Sequence, residues 1–273
     1  MSAPLILMYH AFGERSDASD PYRVFVPAPV LDRQLGTLQE RGAHFLDLDG
    51  YLAGLPTRTW PARSVLVTID DGYTSTLTDA APVLARRRVP AVLFALAGRL
   101  EGCSDWMPGM PSEPLLGLDG LRELEAHGVR TEVHGWDHRL LPGLPPDELH
   151  RQVAQSRAAF ADLLGRPPVA YAYASGAHDA PARAAVRRAG YACGFAVHAA
   201  CGPYALQRVD VNPTDTDTTF RMKTQPWWPL AYRTAGRLAP LRRGIHLLVG
   251  SARGAGTPDP LGAAEQELAA SGR

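Results

Sequence analysis

The chain has little cysteine, no net charge and no long hydrophobic run at its start. Its three cysteines, Cys103, Cys193 and Cys201, match no zinc-ribbon or redox spacing, so we expect free thiols without a chemical role. The 28 basic and 28 acidic side chains cancel, which gives no electrostatic reason to expect a nucleic-acid partner. The apolar run from Leu5 to Tyr9 is too short for a signal peptide or a membrane span. These absences predict a cytoplasmic protein that does not act on DNA or RNA.

Short runs typical of strands alternate with longer amphipathic stretches along the chain. This alternation favours a mostly parallel sheet or barrel of the α/β class. The 273 residues, 45% of them hydrophobic, are enough to form the core of one large domain. The predicted strands cover Leu5 to Tyr9, Val65 to Ile69, Ala91 to Leu96, Thr131 to Val133, Ala170 to Tyr173 and Gly194 to Val197, and the predicted helices cover 28–41, 75–87, 118–127, 146–164 and 180–190.

Two adjacent carboxylates follow one of these apolar strands, in the sequence Thr68-Ile69-Asp70-Asp71-Gly72. Such a sequence is also a common turn after a strand, because aspartate side chains bond nearby backbone N–H groups and glycine adopts positive φ. Taken alone, the motif therefore favours a turn.

A second motif, His134-Gly135-Trp136-Asp137-His138, supplies two imidazoles four residues apart. It follows a helix end, a glycine cap and a short strand. Both motifs are therefore expected at the carboxyl ends of strands, where α/β barrels and open sheets hold their catalytic groups. One aspartate and two histidines can complete a divalent metal site with open coordination positions. Together, the two motifs predict a hydrolytic metal centre.

A series of motifs occurs in a fixed order along the chain. They are Tyr9-His10, Thr68 to Tyr73, Pro82-Val83-Leu84, Val89 to Phe94, Gly128 to His134, His138-Arg139 and Tyr171 to Gly176. In this order they resemble the polysaccharide deacetylase family, the NodB-homology domain of carbohydrate esterase family 4. The resemblance covers roughly residues 4 to 212 and implies a distorted TIM-like (β/α) barrel with fewer than eight regular units. We therefore predict one domain over residues 1–212 and a C-terminal extension over residues 213–273.

The resemblance also implies roles for individual residues. Asp71, His134 and His138 match the family's metal ligands, and Asp70 matches its catalytic base. A bound divalent ion lowers the pKa of its water toward about 7 and polarises the amide carbonyl, so that a neighbouring carboxylate can deprotonate the attacking water. The resemblance favours zinc as the one bound metal, although two histidines and one aspartate also suit cobalt, nickel or manganese.

The third family motif is altered at Ala172-Tyr173-Ala174-Ser175, where the family often has Arg-x-Pro-Tyr. The arginine that steadies the base, the proline and the aromatic residue are all absent from this segment. In the family, the backbone N–H of the fourth motif residue helps to hold the tetrahedral oxyanion, and Ser175 can supply that N–H whatever its side chain. An ordinary junction between a strand and a loop is the competing interpretation of Ser175.

The general acid of the family is also missing from its usual place. The family commonly ends a late strand with Leu-x-x-His, whose histidine protonates the leaving amine. Here the corresponding run is Gly244 to Gly250, and Val249 stands at the histidine position. We predict that His10 substitutes, because the ends of barrel strands converge on the active face. His178 and His198 remain alternatives, as does an acid step that works differently and uses no histidine in this role.

Three aromatic side chains are candidates for substrate binding. Trp106, in the Pro/Gly-rich loop 102–117, and Trp136, between the two histidines, can form apolar walls against a sugar ring, and Tyr173 is a third candidate. For Trp106, a loop held against the core is an equally good interpretation. Asp137, beside His138, can either orient a ligand or lie in solvent, and we favour solvent or a contact with a nearby loop.

The sequence changes character from Pro213 onward. The polar run from Thr214 to Thr219 is predicted to cap a helix that starts at Phe220. Trp227-Trp228 and several arginines follow among apolar residues. Packing on the barrel is the default interpretation, but paired tryptophans beside arginines are also typical of a peripheral membrane anchor.

These observations predict a cytoplasmic, metal-dependent N-deacetylase that releases acetate from an acetamido sugar. A lipid-linked sugar, a nucleotide sugar and a glycosylated small molecule are the substrates expected for that location. One alternative is a metal-dependent hydrolase of another, non-sugar or cyclic, amide. A second alternative is a catalytically weak binding protein on the same fold, but Asp70, Asp71, His134 and His138 argue against it because all four are intact.

Overall fold

A nearly closed parallel barrel dominates the computed structural model, which describes residues 3–197 and 200–228. Every strand pair of its main sheet is parallel. The α/β barrel predicted from the sequence is therefore confirmed. The strands are β1 (Leu5–Tyr9), β2 (Ala11–Phe12), β3 (Phe25–Val26), β4 (His44–Leu46), β5 (Ser64–Ile69), β6 (Ala91–Ala95), β7 (Val129–Val133), β8 (Ala170–Ala172), β9 (Cys193–Ala196), β10 (Leu206–Gln207) and β11 (Val209–Asp210).

The strands at the centre of the sheet are buried on both faces. Every residue of β5 and β6 is buried, because each strand faces the barrel interior on one side and packed helices on the other. This explains why both strands consist of almost continuous apolar residues rather than an alternating pattern. Alternate residues of these strands belong to two core clusters: one includes the surrounding helices, and the other includes Leu66, Val92 and Phe94.

A short segment after β9 closes the barrel. In the main sheet, β10 pairs with β9, and β11 pairs with β1, at the other end of the strand order. Arg208 is the single residue between β10 and β11, and its N–H donates to the carbonyl of Ala196 at 3.1 Å. The chain therefore crosses the gap between the first and last barrel strands at Arg208.

The predicted helices are all present, and two of them contain a π-helical turn. Thr76–Ala80 leads into the helix Ala81–Arg87, and Arg151–Gln155 joins the helices Pro146–His150 and Ser156–Leu164. The helix over 146–164 ends as predicted at Gly165, whose φ is 68°. The α-helices are α1 (Ala28–Glu40), α2 (Leu48–Gly54), α3 (Ala81–Arg87), α4 (Leu118–Ala126), α5 (Pro146–His150), α6 (Ser156–Leu164), α7 (Ala180–Arg188) and α8 (Asp217–Lys223).

The elements absent from the sequence prediction are short. Strands of two or three residues, such as β4, β10 and β11, carry too few side chains for a periodic pattern and depend on pairing with distant strands. Helix α2 has seven residues and is fixed by Asp47, whose side chain accepts from the N–H of Gly50 at 2.7 Å. Local sequence alone did not distinguish these segments from loops.

The start of the C-terminal extension packs on the barrel. Helix α8 begins at Asp217 and not at Phe220 as predicted, because the side chain of Thr216 accepts from the N–H of Thr219 and so caps an earlier turn. Phe220 and Trp228 are buried in the same core cluster as the barrel strands, whereas Trp227 is 51% exposed. The later arginines and the run Gly244 to Gly250 lie outside the described residues, and the domain division after residue 212 stays a prediction.

Among the described residues, no helix is both long and apolar enough to cross a membrane. Cys103, Cys193 and Cys201 are free, as predicted; the first and last are exposed and Cys193 is buried.

Glu132 is a fully buried acid that joins β7 to β8. Its carboxylate accepts from the N–H groups of Val169 at 2.6 Å and Ala170 at 2.8 Å, and it pairs with Arg130 and Arg166. We expect Glu132→Ala to lower the free energy of unfolding by about 3 kcal/mol, because it leaves buried N–H groups without acceptors. Urea unfolding measures the change. The matched control is Asp49→Ala, which removes an exposed partner of Arg130 and should cost less than about 1 kcal/mol; equal losses would contradict the assignment.

Candidate metal centre

The carboxyl ends of β5 and β7 bring three ligand side chains together. Asp71 follows β5, and His134 and His138 follow β7. A carboxylate oxygen and two imidazole nitrogens of these residues lie within 4.8 Å of one another. The Oδ1 atom of Asp71 is 3.3 Å from Nε2 of His134 and 3.4 Å from Nε2 of His138. The three predicted metal ligands therefore converge at one point.

The environment of Asp71 fits a bound cation. Its Oδ1 atom is buried and makes no hydrogen bond within the described part of the chain, although two imidazole nitrogens flank it. Ligands about 2.0–2.1 Å from a tetrahedral ion lie about 3.3 Å apart, which is close to the separations observed here. A buried carboxylate oxygen without a donor is costly unless a cation completes its coordination. The residues present therefore fit a divalent ion with Asp and His ligands.

The backbone at the ligands adopts conformations that are uncommon for residues with a side chain. Asp71 has φ 74° and His138 has φ 69°, and the intervening glycines Gly72 and Gly135 have φ 86° and 108°. Left-handed backbone at non-glycine residues is held in place by surrounding structure and occurs often at functional sites. The Asp70-Asp71-Gly72 sequence therefore forms a turn and also places Asp71 in the candidate metal site, so its two interpretations are compatible.

The orientation of His134 is fixed by a backbone carbonyl. Its Nδ1 atom lies 3.0 Å from the carbonyl oxygen of Ala172 on β8. An Nδ1–H that donates to this oxygen leaves Nε2 unprotonated and available as a ligand. Metal-binding histidines commonly make such a hydrogen bond with the ring nitrogen that does not bind the metal. The ring of His138 is held differently, by stacking on the indole of Trp106 with centroids 4.6 Å apart.

Asp70 is paired with a buried arginine rather than with the ligands. The guanidinium of Arg208 donates to both oxygens of Asp70, at 2.6 and 2.7 Å, and both residues are 2% exposed. The Oδ2 atom of Asp70 also lies 4.0 Å from Nε2 of His134, beside the cluster. Burial acts to raise the pKa of the Asp70 carboxyl, but Arg208 and His134 hold that pKa below its ordinary value. Asp70 is therefore an ionised carboxylate next to the candidate metal.

A family model described as polysaccharide deacetylase matches residues 57–194, about half of the chain. The chain belongs to the polysaccharide deacetylase family. YxkH of Bacillus subtilis (strain 168), whose name assigns it to the polysaccharide deacetylases, is 27% identical over 221 residues, which cover 79% of this chain and 74% of that protein.

Solved structures of deacetylases share the fold. The Streptococcus pyogenes deacetylase PplD, solved in complex with acetate, superposes with a TM-score of 0.71 at 24% identity, covering 83% of this chain and 99% of that one. IcaB from Ammonifex degensii gives a TM-score of 0.69 at 23% identity, covering 84% and 97%. At these identities the structural likeness shows the fold alone.

Arg208 is a candidate site residue that the sequence interpretation missed. The altered third motif lacks an arginine, but Arg208 reaches Asp70 from the segment that closes the barrel. The matched residues 57–194 include the ligands and Asp70 and end before Arg208. The available signal was a single arginine within the strand-like run Ala205 to Val211. A charged side chain in such a run is expected to be paired when it is buried.

His10 lies at the end of β1, next to the strand that carries Asp70. The N–H of Asp70 donates to the carbonyl of Tyr9 at 2.9 Å, which places His10 beside the acidic pair. Against the effect of burial, Arg208 and His134 lower the pKa of Asp70 most, and the nearby His10 makes a smaller contribution in the same direction. His178 instead contacts Arg183, at 2.9 Å, and the ring of Tyr173. His198 lies outside the described residues.

The aromatic candidates occupy different positions. Trp106 stacks on the ligand His138, and its buried indole N–H has no hydrogen-bond partner among the described residues. Trp136 is half-buried, with the guanidinium of Arg151 5.3 Å from its ring centre, and its indole packs on Gly98, where an added Cβ would lie 2.2 Å from Nε1. Tyr173 is fully buried and donates its hydroxyl to the carbonyl of Tyr204 at 2.8 Å. Of the three, Trp106 has the contact closest to the metal ligands.

Ser175 is exposed in a short turn after β8. The turn covers Ala174–Gly176, and Ser175 adopts φ 51°, again the left-handed region. The N–H of Gly176 donates to the carbonyl of Tyr173 at 2.8 Å, and the N–H of Ala177 donates to the carbonyl of Ala174 at 3.0 Å. The role of Ser175 as an oxyanion donor stays a prediction.

Proposed function

We propose that this family member is a metal-dependent hydrolase that removes the acetyl group from an acetamido sugar. The observation that supports the proposal best is the convergence of Asp71, His134 and His138 beside the ionised Asp70–Arg208 pair. The family acts as deacetylases, and a metal-dependent amide hydrolase needs both a cation and a base at the scissile bond. At the carboxyl ends of the strands of this barrel, three side chains can hold the cation and Asp70 can act as the base.

The residues of the chain divide the work of the reaction. A divalent ion held by Asp71, His134 and His138 would supply an activated water and a polarised carbonyl. Asp70 accepts the proton of the attacking water, and Arg208 fixes the carboxylate in the orientation this transfer needs. The backbone N–H of Ser175 donates to the oxygen that becomes negative in the tetrahedral intermediate.

His10 is the proposed general acid. It lies at the end of β1 beside the acidic pair, and as an imidazolium it can donate a proton to the departing amine nitrogen. Its position in the chain differs from that of the family's late histidine, but the ends of β1 and of a late barrel strand face the same site. The proposed active site therefore combines His10, from the start of the domain sequence, with Arg208, from between its last two strands.

The proposed substrate is an N-acetylated sugar carried by a small molecule or a lipid. Trp106 offers an apolar face and an unpartnered buried N–H beside the ligand His138, which suits the apolar faces and hydroxyl edges of a sugar ring. A cytoplasmic location and contact of the C-terminal extension with membrane stay predictions, which cell fractionation of the full chain can test.

Removal of the metal tests the function directly. We expect a strong chelator to abolish acetate release from a panel of N-acetylated sugars, sugar nucleotides and glycosylated metabolites, and one equivalent of zinc, cobalt, nickel or manganese to restore it. Acetate release and metal content are measured on the same samples. A chelated enzyme with full activity would contradict the metal dependence. Tight binding of one ion without acetate from any substrate would instead favour hydrolysis of another amide.

A further inference from the structure

The loop from His134 to His138, called the histidine loop below, is hydrogen-bonded to one buried side chain, Gln152. This residue is 0% exposed and lies in the π-helical turn Arg151–Gln155. Its Oε1 atom accepts from the N–H of Trp136 at 2.9 Å and, over a longer 3.4 Å, from the N–H of Asp137. Its Nε2 atom donates to Oδ1 of Asp137 at 2.5 Å. One amide therefore holds the backbone and a side chain of the loop between His134 and His138.

The conformation of this loop requires such support. His138 has φ 69°, a left-handed value that a residue with a side chain keeps only when its surroundings fix it. Gly135 has φ 108°, and a Cβ added there would lie 3.1 Å from Oε1 of Gln152 and 3.2 Å from the hydroxyl of Tyr171. The loop is therefore packed directly on the Gln152 amide. A shift of that amide would move the backbone between the two ligands.

The helix presents Gln152 through an irregular turn. The π-helical turn follows α5, and the hydroxyl of Ser156 donates to the carbonyl of Gln152 at 2.6 Å. Single π-helical turns within α-helices are rare and occur frequently at functional sites. The charge of Asp137 is offset on its other side by Arg139, whose Nε lies 3.7 Å from Oδ2. Both polar atoms of the Gln152 side chain, Oε1 and Nε2, thus form hydrogen bonds with the histidine loop.

We propose that Gln152 and Asp137 form a positioning pair that holds His134 and His138 in the geometry for metal binding. The inference rests on the proposed metal-dependent function. Neither residue contacts the metal position as a ligand, and their effect passes through the loop backbone. Partners of this kind typically change metal affinity by about 10- to 100-fold.

Zinc affinity and thermal stability of four variants test the pair. Zinc dissociation constants are measured by competition with a chromophoric chelator, and apparent melting temperatures are measured without metal. We expect Gln152→Met and Asp137→Ala to weaken zinc binding by about 10-fold or more. Asp137→Asn should stay close to wild type, because its amide oxygen still accepts from Nε2 of Gln152 and only the charge is lost. Gln34→Met, the same change at a buried glutamine on α1 that accepts from the hydroxyl of Tyr9 at 3.1 Å, should lower the melting temperature and leave zinc affinity unchanged.

The variants separate positioning from general destabilisation. Wild-type zinc affinity in both Gln152→Met and Asp137→Ala would overturn the inference. So would equal weakening in Asp137→Asn and Asp137→Ala, because charge alone would then explain the loss. If Gln152→Met does not fold, the comparison of Asp137→Ala with Asp137→Asn, at a partly buried side chain, decides between the two explanations. A wild-type protein that binds no zinc would contradict the proposed function itself, and the inference with it.

Discussion

Replacing Asp70 by asparagine should reduce kcat for deacetylation by about 10³-fold or more while the protein still binds its metal. The amide has the shape of the carboxylate but cannot accept the water's proton, and a positioned base contributes about 10² to 10⁴ in rate. Asp70 is separate from the ligand cluster, since its oxygens are bound by Arg208 and its closest approach to a ligand nitrogen is 4.0 Å. Steady-state kinetics and metal content of the purified variant measure the two effects.

The variant His134→Ala is the comparison for Asp70→Asn. It removes a ligand, so we expect loss of both metal and activity. Full deacetylase activity in Asp70→Asn would show that another group is the base. Loss of metal from Asp70→Asn would contradict the separation between base and ligands. The substitution also leaves Arg208 buried with a neutral partner, so melting temperatures must accompany the kinetics.

Replacing Arg208 by methionine should lower kcat by about 10²-fold, because the orientation of Asp70 would no longer be fixed at the reacting water. The two side chains form a bidentate pair, which a point charge cannot reproduce, so Arg208→Lys should also lose much of the activity. We also expect a loss of stability of about 3–5 kcal/mol, since methionine leaves a buried carboxylate unpaired. Kinetics under conditions where each variant is folded separate the two effects.

A surface pair provides the matched control for Arg208. Arg87 also binds a carboxylate through two nitrogens, at 2.6 and 2.8 Å to Asp32, but that pair is partly exposed on α1 and α3. Arg87→Met should leave kcat unchanged and cost less than about 1 kcal/mol. If Arg208→Met kept wild-type kcat, the guanidinium would have only a structural role.

The positions of the ligands could be predicted because they follow ordinary local signals. Asp71 stands two residues after β5 and His134 stands directly after β7, and parallel strands place their carboxyl ends on the same face of a barrel. No detailed geometry was needed to bring these residues together. The same argument placed His10, at the end of β1, near the acidic pair.

Arg208 and Gln152 could not be predicted in the same way. Arg208 stands between two strands of two residues each, and its place in the site depends on barrel closure between β9 and β1. Gln152 lies in a helix whose apolar pattern is clear, but the π-helical turn that directs its amide to the histidine loop leaves no recognisable mark in the sequence. Both residues act through contacts between segments that are far apart along the chain.

The structure shows how Asp70 is paired although the third motif lacks its arginine. The family often takes the arginine for its base from the strand that here ends at Ala172, whereas this chain supplies Arg208 from the closing segment. The loss of one arginine from the motif therefore does not leave Asp70 unpaired. The binding-protein alternative is weakened, because Asp70, its partner Arg208 and the three candidate ligands lie together in the structure.

The most direct test of the account is anomalous X-ray diffraction at the zinc edge from crystals of the full chain loaded with zinc. The account predicts one strong peak, from a zinc ion within bonding distance of Oδ1 of Asp71 and of Nε2 of His134 and His138, with Asp70 still hydrogen-bonded to Arg208. No peak at these atoms, or an ion bound at another place with the three side chains apart, would contradict it.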